Sequence, residues 1–564
     1  MKQLPIGVSD FKFLIDQNYY YIDKTLFIKE IIENSSQVLL IPRPRRFGKT
    51  LNLSMLKYFL EKTETDTRYL FKDTNIEQYE KFQEFHNQFP VIFLSFKDIK
   101  QSNWAKAYED LTLLISNEFS RYSEILLPTL SDHERKQYQS ILQRKASEVV
   151  YQKSLFFLSG ILQKHYQKNV IVLIDEYDSP IHVAYDAGYY DEIVDFMRSL
   201  FSSVLKDNPS LQKGILTGIL RVAKESIFSD LNNPEISTIL DFEFQDKFGF
   251  TTDEVKQLLN DYSSDKNPAN GVKLSEIKEW YNGYQFGETI IYNPWSLITC
   301  IKKHGVLEPY WLNTSSNLLV KKLLLRADHE VKSKLELLLS NQPITERIDK
   351  AVIFQNIENQ ETALWGLLLF TGYLTYSKKE LREGITYCDL VIPNKEIKII
   401  YSDLISSIFE RTLPTAKIKH LAHSLASGNI PNFTEILQEF IINSMSVFDL
   451  PNNEPEKSYH LFVLGLLSIF QGKYQVKSNR ESGFGRYDIM LIPNTINDLG
   501  IVIEFKKTLL EDNNNIELAA KRALAQVKQK EYAQELKALG ITHVMAIGIA
   551  FLGKKISVES EILS

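Results

Sequence analysis

The stretch Arg43 to Thr50, R-P-R-R-F-G-K-T, limits what this chain can fold into more than any other. It follows the apolar run Gln37-Val-Leu-Leu-Ile41 and opens a helical pattern from Leu51 to Leu60. Strand, tight loop, Gly-Lys-Thr and helix is the context in which backbone N–H groups at a helix N-terminus hold phosphates. In such a loop the lysine contacts the β and γ oxygens of a nucleotide and the threonine hydroxyl ligates magnesium. Gly48, Lys49 and Thr50 are placed for those roles, while Arg43, Arg45 and Arg46 either add positive charge there or face DNA or an adjacent subunit. The full signature G-x-x-x-x-G-K-[ST] is absent, because Arg43 stands where its first glycine belongs.

A second stretch supplies a partner for that loop. Asn169-Val-Ile-Val-Leu-Ile-Asp-Glu-Tyr-Asp178 is an apolar, mostly β-branched run ending in acids. A central parallel strand delivers carboxylates in this way to the carboxyl edge of a sheet, where ligands bind in doubly wound folds. Asp175 is expected to hold magnesium and Glu176 to polarise the attacking water as general base. A helix over Asp191 to Leu205 then leads to a third strand candidate, Lys213-Gly-Ile-Leu-Thr-Gly-Ile-Leu-Arg221. In nucleotide-binding folds with an added central strand, a polar residue at its end senses the γ-phosphate, which makes Thr217 a candidate. Arg221 either reaches a phosphate, in cis or across a subunit interface, or forms an ordinary surface ion pair.

Composition narrows the class. At 564 residues, with 44% hydrophobic and 12% aromatic content, the chain has material for several packed domains. A net charge of −6 carries no global basic signature, so any nucleic-acid surface is local. Cys300 and Cys388 are too far apart in sequence to suggest a zinc site or a disulfide framework, which fits a reducing cytoplasm. The N-terminus lacks an apolar stretch of signal-peptide length, and no run approaches the roughly 18 apolar residues of a membrane helix. A soluble, cytoplasmic protein with no membrane partner is the expectation.

Between these landmarks the pattern is coarser. Asp23 reads as the N-cap of a short helix ending at Glu33, and Pro90 to Phe96 as a buried strand. Residues 104 to 168 read as a series of helices. The aromatic stretches Trp280 to Gly287 and Tyr292 to Ser296 read as a packed turn region of a helical lid, with base stacking as the other reading. Residues 300 to 445 are largely helical, with a strand pair at Tyr373 to Tyr376 and Ile385 to Ile392, and Asp449 to Pro455 has the content of a boundary loop. The expected domains are 1–240, a nucleotide-binding α/β domain with a parallel sheet; 241–450, a helical lid and connector; and 451–564, a second α/β domain.

In that last part the pattern changes. Tyr459 to Phe470 reads as an amphipathic helix and Tyr474 to Lys477 as a short strand. The glycine turn Ser482 to Arg486 leads into Tyr487-Asp-Ile-Met-Leu-Ile492, and a polar loop separates this from Gly500-Ile-Val-Ile-Glu-Phe-Lys506. As a hairpin, the two strands bring Asp488 to Glu504, and the strand period puts Glu504 and Lys506 on one face with Phe505 on the other. Two carboxylates that close repel unless a divalent cation lies between them, which points to Mg²⁺ with Asp488 and Glu504 as ligands. Lys506 is then placed to orient or activate a metal-bound water. A helix over Ile516 to Leu536 carries Gln526 and Lys530 on a common face, and the strand Thr542 to Ile549 completes an αβββαβ order.

An acid followed by E-x-K on an apolar strand matches the PD-(D/E)XK nuclease pattern. With both sites in view the chain resembles the bacterial family that couples an AAA-ATPase-like N-terminal domain to a PD-(D/E)XK nuclease-like C-terminal domain. The strings that carry the resemblance are Tyr21-Ile-Asp-Lys-Thr25, Arg45-Arg-Phe-Gly-Lys-Thr50, Leu173-Ile-Asp-Glu-Tyr-Asp178, Glu225-Ser-Ile-Phe-Ser229 with Asn232-Asn233, Trp280-Tyr-Asn-Gly-Tyr284, Tyr292-Asn-Pro-Trp295, and Gly485-Arg-Tyr-Asp488 with Glu504-Phe-Lys506. The resemblance implies a P-loop ATPase fold with ATP and Mg²⁺ as cofactors, and a restriction-endonuclease-like fold at the C-terminus. It implies that Lys49, Thr50, Asp175 and Glu176 serve the first site and Asp488, Glu504, Lys506 and Gln526 the second. In that family an arginine at the position of Arg43 looks usual. A side chain there restricts the close backbone approach that glycine permits, so slowed hydrolysis is expected rather than absent binding.

The resulting expectation is an ATP-regulated, Mg²⁺-dependent nuclease acting on nucleic acid, DNA ahead of RNA, with self-association left open. The alternative is a regulatory ATPase whose nuclease-like domain binds nucleic acid or a protein partner without cutting.

Overall fold

The computed structural model describes residues 2–221, 234–262, 272–311, 329–350, 361–409, 413–447, 465, 470, 473–482, 485–507, 515–552 and 554–563. The chain divides into two compact units, Met1–Asn313 with Thr345–Glu396 and Thr314–Ile344 with Ile397–Ser564. The stretch expected as a single helical middle region therefore contributes to both.

The first unit is built on a five-stranded parallel sheet of β1 (Val38–Pro42), β2 (Val91–Ser95), β3 (Val170–Asp175), β4 (Leu211–Gly218) and β5 (Pro234–Ile236), in the order β2-β3-β4-β1-β5. Every residue of β1 and β3 is buried, as expected of strands covered on both faces by helices. The inserted strand β4 lies between them. Its register sets Thr217 beside Ile41, while β2 sets Ser95 beside Asp175, so four strand ends converge on one carboxyl edge. Four helices fill the stretch after β2: Trp104–Leu126, Asp132–Leu142, Glu148–Gln152 and Ser154–Tyr166. In the longest, Leu111, Ile115 and Phe119 recur every fourth residue and are buried.

Asp23 is not the N-cap expected from the sequence. The helix Leu26–Glu33 is preceded by Thr25 in helical backbone with no side-chain cap. The Asp23 carboxylate instead accepts from Thr25 N and Oγ1 at 2.8 and 2.7 Å and from Asn75 N at 2.7 Å, tying this turn to a distant one.

The rest of the unit holds the helices Thr252–Tyr262, Leu274–Tyr281 and Pro294–Lys302, and the hairpin of β6 (Tyr284–Phe286) and β7 (Thr289–Ile291). Tyr281, Tyr284 and Tyr292 are buried, as a packed turn requires. A small sheet follows, β8 (Ile344–Arg347), β9 (Thr375–Arg382) and β10 (Ile385–Val391), in the order β8-β10-β9.

The second unit carries a mixed sheet of β11 (Tyr474–Ser482), β12 (Gly485–Pro493), β13 (Gly500–Lys507), β14 (Val544–Leu552) and β15 (Lys555–Leu563), in that order. Only β13 and β14 run parallel, joined through the helix Ile516–Gln529, which buries Ala519, Ala520, Ala523 and Val527. Small residues let that helix lie close: a Cβ on Gly548 of β14 would stand 2.4 Å from Ala520 O and Leu524 N.

Three expectations change here. The strand starting at Tyr474 runs to Ser482, not Lys477, because its polar end pairs in register with β12, Arg480 opposite Tyr487. The helix from Ile516 stops at Gln529 with Lys530 as its C-cap, because Glu531 turns into the left-handed region at φ 53°; a separate short helix, Gln534–Ala538, follows. A final strand, β15, was not expected. The expected helix Tyr459 to Phe470, the boundary loop Asp449 to Pro455 and the middle of the glycine turn at 483–484 lie outside the described residues, apart from Gly465 and Phe470.

Candidate functional sites

At the carboxyl edge of the parallel sheet, the loop after β1 turns into the helix Lys49–Leu60 through two left-handed residues, Arg46 (φ 68°) and Gly48 (φ 87°), the latter as N-cap. The first N–H groups of that helix have no intrahelical acceptor, which leaves them for an anion. Lys49 is buried, and its ammonium donates to the loop carbonyls of Arg43 and Pro44 at 3.0 Å each, spanning the loop. Burial lowers its pKa, while Glu176, Asp178 and Asp175 act the other way.

Asp175 gathers hydroxyls from three elements. Thr50 Oγ1 donates to Oδ2 at 2.9 Å, Thr217 Oγ1 to Oδ1 at 2.7 Å, and Ser95 Oγ to Oδ2 at 3.2 Å. Ser95 was missed in the sequence, although it ends a buried strand. Glu176 follows with φ 49°, a backbone state that costs a non-glycine residue energy; burial raises its carboxyl pKa and Lys49 opposes the rise. The charge of Arg45 acts on both Lys49 and Glu176. Arg221 is partly exposed just beyond β4, and the string Glu225 to Asn233 lies outside the described residues.

Arg43 and Arg46 part company. The Arg43 guanidinium is fully buried, donating to Pro42 O at 2.9 Å, Ser237 O at 2.6 Å and Glu243 O at 3.2 Å, and lying over the rings of Phe248 and Phe286 at 5.1 and 5.6 Å. Its hydrogen bonds thus go to the 237–243 segment and its own loop, where the sequence offered it as a source of charge, and its backbone has no positive φ that would call for glycine. Arg46 instead donates to Tyr310 O at 2.9 Å with its guanidinium 4.3 Å from the Trp295 ring centroid.

Beside the loop lies a cavity of about 320 Å³. Gly48, Lys49, Thr50 and Glu176 line it at the loop, and Val8, Tyr20, Ile22, Phe250, Trp295 and Ile298 give it apolar walls. An apolar cavity with a few converging polar groups suits a nucleotide. Trp295 thus faces the cavity while its neighbours Tyr281, Tyr284 and Tyr292 are core, so the aromatic stretch serves both packing and cavity wall. The segments 5–24 and 249–298 were not placed at this site by sequence; the cue was the run Tyr19-Tyr-Tyr21.

The second site lies in the mixed sheet. Ile489 pairs with Ile503, so Asp488 and Glu504 stand together at the next position, and Asp488 Oδ2 accepts from Phe505 N at 2.7 Å. Glu504 is buried; Gln526 Nε2 donates to its Oε1, and Lys506 Nζ lies 3.9 Å from the same oxygen. Burial and Asp488 push the Glu504 carboxyl up to about 8, against the pull of Lys506. Phe505 on the opposite face stacks on Phe551 at 5.7 Å. Gln526 also donates to Tyr532 Oη at 3.3 Å, a partly buried contact that nothing in the sequence signalled. Lys530, as helix cap, has left the helix face expected for it.

Glu504 Oε2 is buried and finds no hydrogen-bond partner among the described residues. An orphaned carboxylate oxygen beside a second carboxylate fits a divalent cation. Among the described residues no group of three or more His, Cys, Asp or Glu gathers around one point.

Comparison with known proteins finds two domain families in the chain. Residues 5–228 match a family described as Predicted AAA-ATPase, and residues 454–561 match the PD-(D/E)XK nuclease superfamily. The chain joins an AAA-ATPase-like domain to a PD-(D/E)XK nuclease-superfamily domain. Lys49, Thr50, Asp175, Glu176, Thr217 and Arg221 fall within the AAA-ATPase-like domain, and Asp488, Glu504, Lys506 and Gln526 within the nuclease-superfamily domain. The cavity walls at Phe250, Trp295 and Ile298 lie beyond the matched part of the AAA-ATPase-like domain. A relative from Azotobacter chroococcum mcd 1, described as an uncharacterized protein in the vnfD 5' region, is 25% identical over 566 residues, spanning 98% of this chain and 96% of its own. Both domain types generally use ATP or a divalent metal. Among the described residues no helix is long and apolar enough to cross a membrane.

Proposed function

We propose that this protein is an ATP-regulated, Mg²⁺-dependent nuclease of the bacterial cytoplasm that cuts phosphodiester bonds of DNA. In this reading residues 1–240 bind and hydrolyse ATP, 241–450 act as lid and connector, and 451–564 cut. The observation that carries the nuclease part is the buried, unpartnered oxygen of Glu504 beside Asp488, with Lys506 at the edge of the pair.

In the ATP site, the Gly48 loop and Lys49 hold the β- and γ-phosphates, and Arg45 and Arg46 add positive charge at the loop. Thr50 and Asp175 hold the metal; Glu176 orients water and takes its proton; Thr217 and Arg221 meet the γ-phosphate. In the nuclease site Asp488 and Glu504 are the metal ligands, Gln526 fixes the orientation of Glu504 through Oε1, and Lys506 orients the attacking water. Bound divalent metal supplies Lewis-acid stabilisation of phosphate charge in both sites.

The test is a cleavage assay of the full chain with Mg²⁺ or Mn²⁺ on single-stranded DNA, double-stranded DNA and RNA. Cutting of DNA that falls at least about 100-fold in both Glu504→Ala and Lys506→Ala is expected. Unchanged cutting in both variants refutes the site. No cutting of any substrate refutes the nuclease and leaves a regulatory ATPase whose nuclease-like domain binds without cutting.

A further inference from the structure

We propose that Tyr177 and Asp178 are positioning residues for ATP hydrolysis, locking the exit of β4, which carries Thr217 and leads to Arg221, to the exit of β3, which carries Asp175 and Glu176. The inference rests on the reading of this site as an ATPase.

Neither residue lines the nucleotide cavity. Asp178 is buried, and its Oδ2 accepts from Ile219 N and Leu220 N at 2.9 Å each and lies 3.2 Å from His182 Nε2. Tyr177, also buried, donates from its N to Thr217 O at 3.1 Å and from its hydroxyl to Leu220 O at 2.6 Å. Two consecutive residues thus hold the backbone of 217–220 at both ends.

The two exits are in direct contact. A Cβ on Gly218 would stand 2.6 Å from Asp178 Oδ1 and 2.7 Å from the Tyr177 ring, so only glycine lets the strands end this close. Burial alone would raise the Asp178 pKa, but His182 and the two amides outweigh it and hold the carboxyl below its ordinary value. A buried carboxylate is costly unless its hydrogen bonds are made; here Oδ2 accepts from the two amides and faces His182, while Oδ1 is buried with no hydrogen-bond partner among the described residues.

That segment matters because hydrolysis needs two groups at a fixed spacing. Glu176 must hold water in line with the γ-phosphate that Thr217 and Arg221 meet, and a displacement of about 1 Å costs on the order of 100-fold in rate. Glu176 sits in left-handed backbone, which its neighbours must maintain. The residues that follow it are the ones bonded to the β4 exit.

The test compares steady-state ATP hydrolysis with the affinity for a fluorescent ATP analogue in Mg²⁺, using the full chain. In Asp178→Ala, kcat should fall about 10- to 100-fold while the analogue's Kd stays within about threefold. Asp178→Asn keeps an acceptor for the two amides and should retain most of the turnover. Tyr177→Phe removes one bond and should show a smaller fall in kcat with the same unchanged Kd; it decides the matter where Asp178→Ala does not fold. An unchanged kcat, a Kd that weakens in step with turnover, or an Asn variant as damaged as the Ala variant overturns the proposal. A wild-type protein without ATP hydrolysis overturns the ATPase reading and this proposal with it, whereas wild-type turnover indifferent to both residues overturns the proposal alone.

Discussion

Arg43 shows how one residue can mislead when only its position in a motif is known. In the sequence it fills the place of the first loop glycine, where a side chain threatens the approach of phosphate. In the fold its guanidinium points into the protein, where Nη1 and Nη2 donate to carbonyls of Pro42, Ser237 and Glu243 and two aromatic faces lie against it, while Nε finds no hydrogen-bond partner among the described residues. Burial lowers its pKa to about 9, which still leaves it charged at neutral pH. The side chain is therefore a brace between the loop and the 237–248 segment. Restoring the consensus with Arg43→Gly should destabilise the fold by roughly 2–4 kcal/mol, since it leaves carbonyls unpaired and a cavity. It should not speed hydrolysis. Thermal unfolding and kcat for ATP, measured together, check this; faster turnover at unchanged melting temperature would contradict it.

At the scale of elements, what could be read from sequence followed from burial. β1 and β3 are continuous apolar runs because helices cover both faces of the parallel sheet, and their ends deliver Lys49, Asp175 and Glu176 to one edge. The hairpin of β12 and β13 was legible as two apolar runs joined by a polar loop, and with it the meeting of Asp488, Glu504 and Lys506. β15 was not, because its half-exposed, polar sequence lacks a buried face. The end of the helix Ile516–Gln529 was hidden because Glu531 takes the left-handed position that glycine usually marks. The cavity walls were hidden for another reason: Tyr20, Phe250 and Trp295 meet only through the fold, and no local pattern links them. Gly548 offers an element-level test. It pairs with Glu504 across β13 and β14 and lets the Gln526 helix lie against the strand. Gly548→Ala should push that helix outward, costing about 1–3 kcal/mol and loosening the Gln526–Glu504 bond. A lower melting temperature with weakened Mn²⁺ binding by calorimetry is expected; wild-type values for both would show that the helix does not set the site.

For the whole molecule, the chain passes three times between its two compact units, at 313–314, 344–345 and 396–397. Sequence order alone does not reveal such interleaving, since each segment reads only as more helix or strand. The AAA-ATPase-like and nuclease-superfamily domains thus belong to units that share more than one covalent connection. The central claim, that nucleotide at the first site controls cutting at the second, is tested most directly by the rate of DNA cleavage in Mg²⁺ with and without ATP, in wild type, Lys49→Ala and Glu504→Ala. The account predicts that ATP changes the wild-type rate by at least about fivefold, that Lys49→Ala cuts at one rate regardless of ATP, and that Glu504→Ala does not cut. A wild-type rate indifferent to ATP, or a Lys49→Ala protein that responds as wild type does, would contradict it.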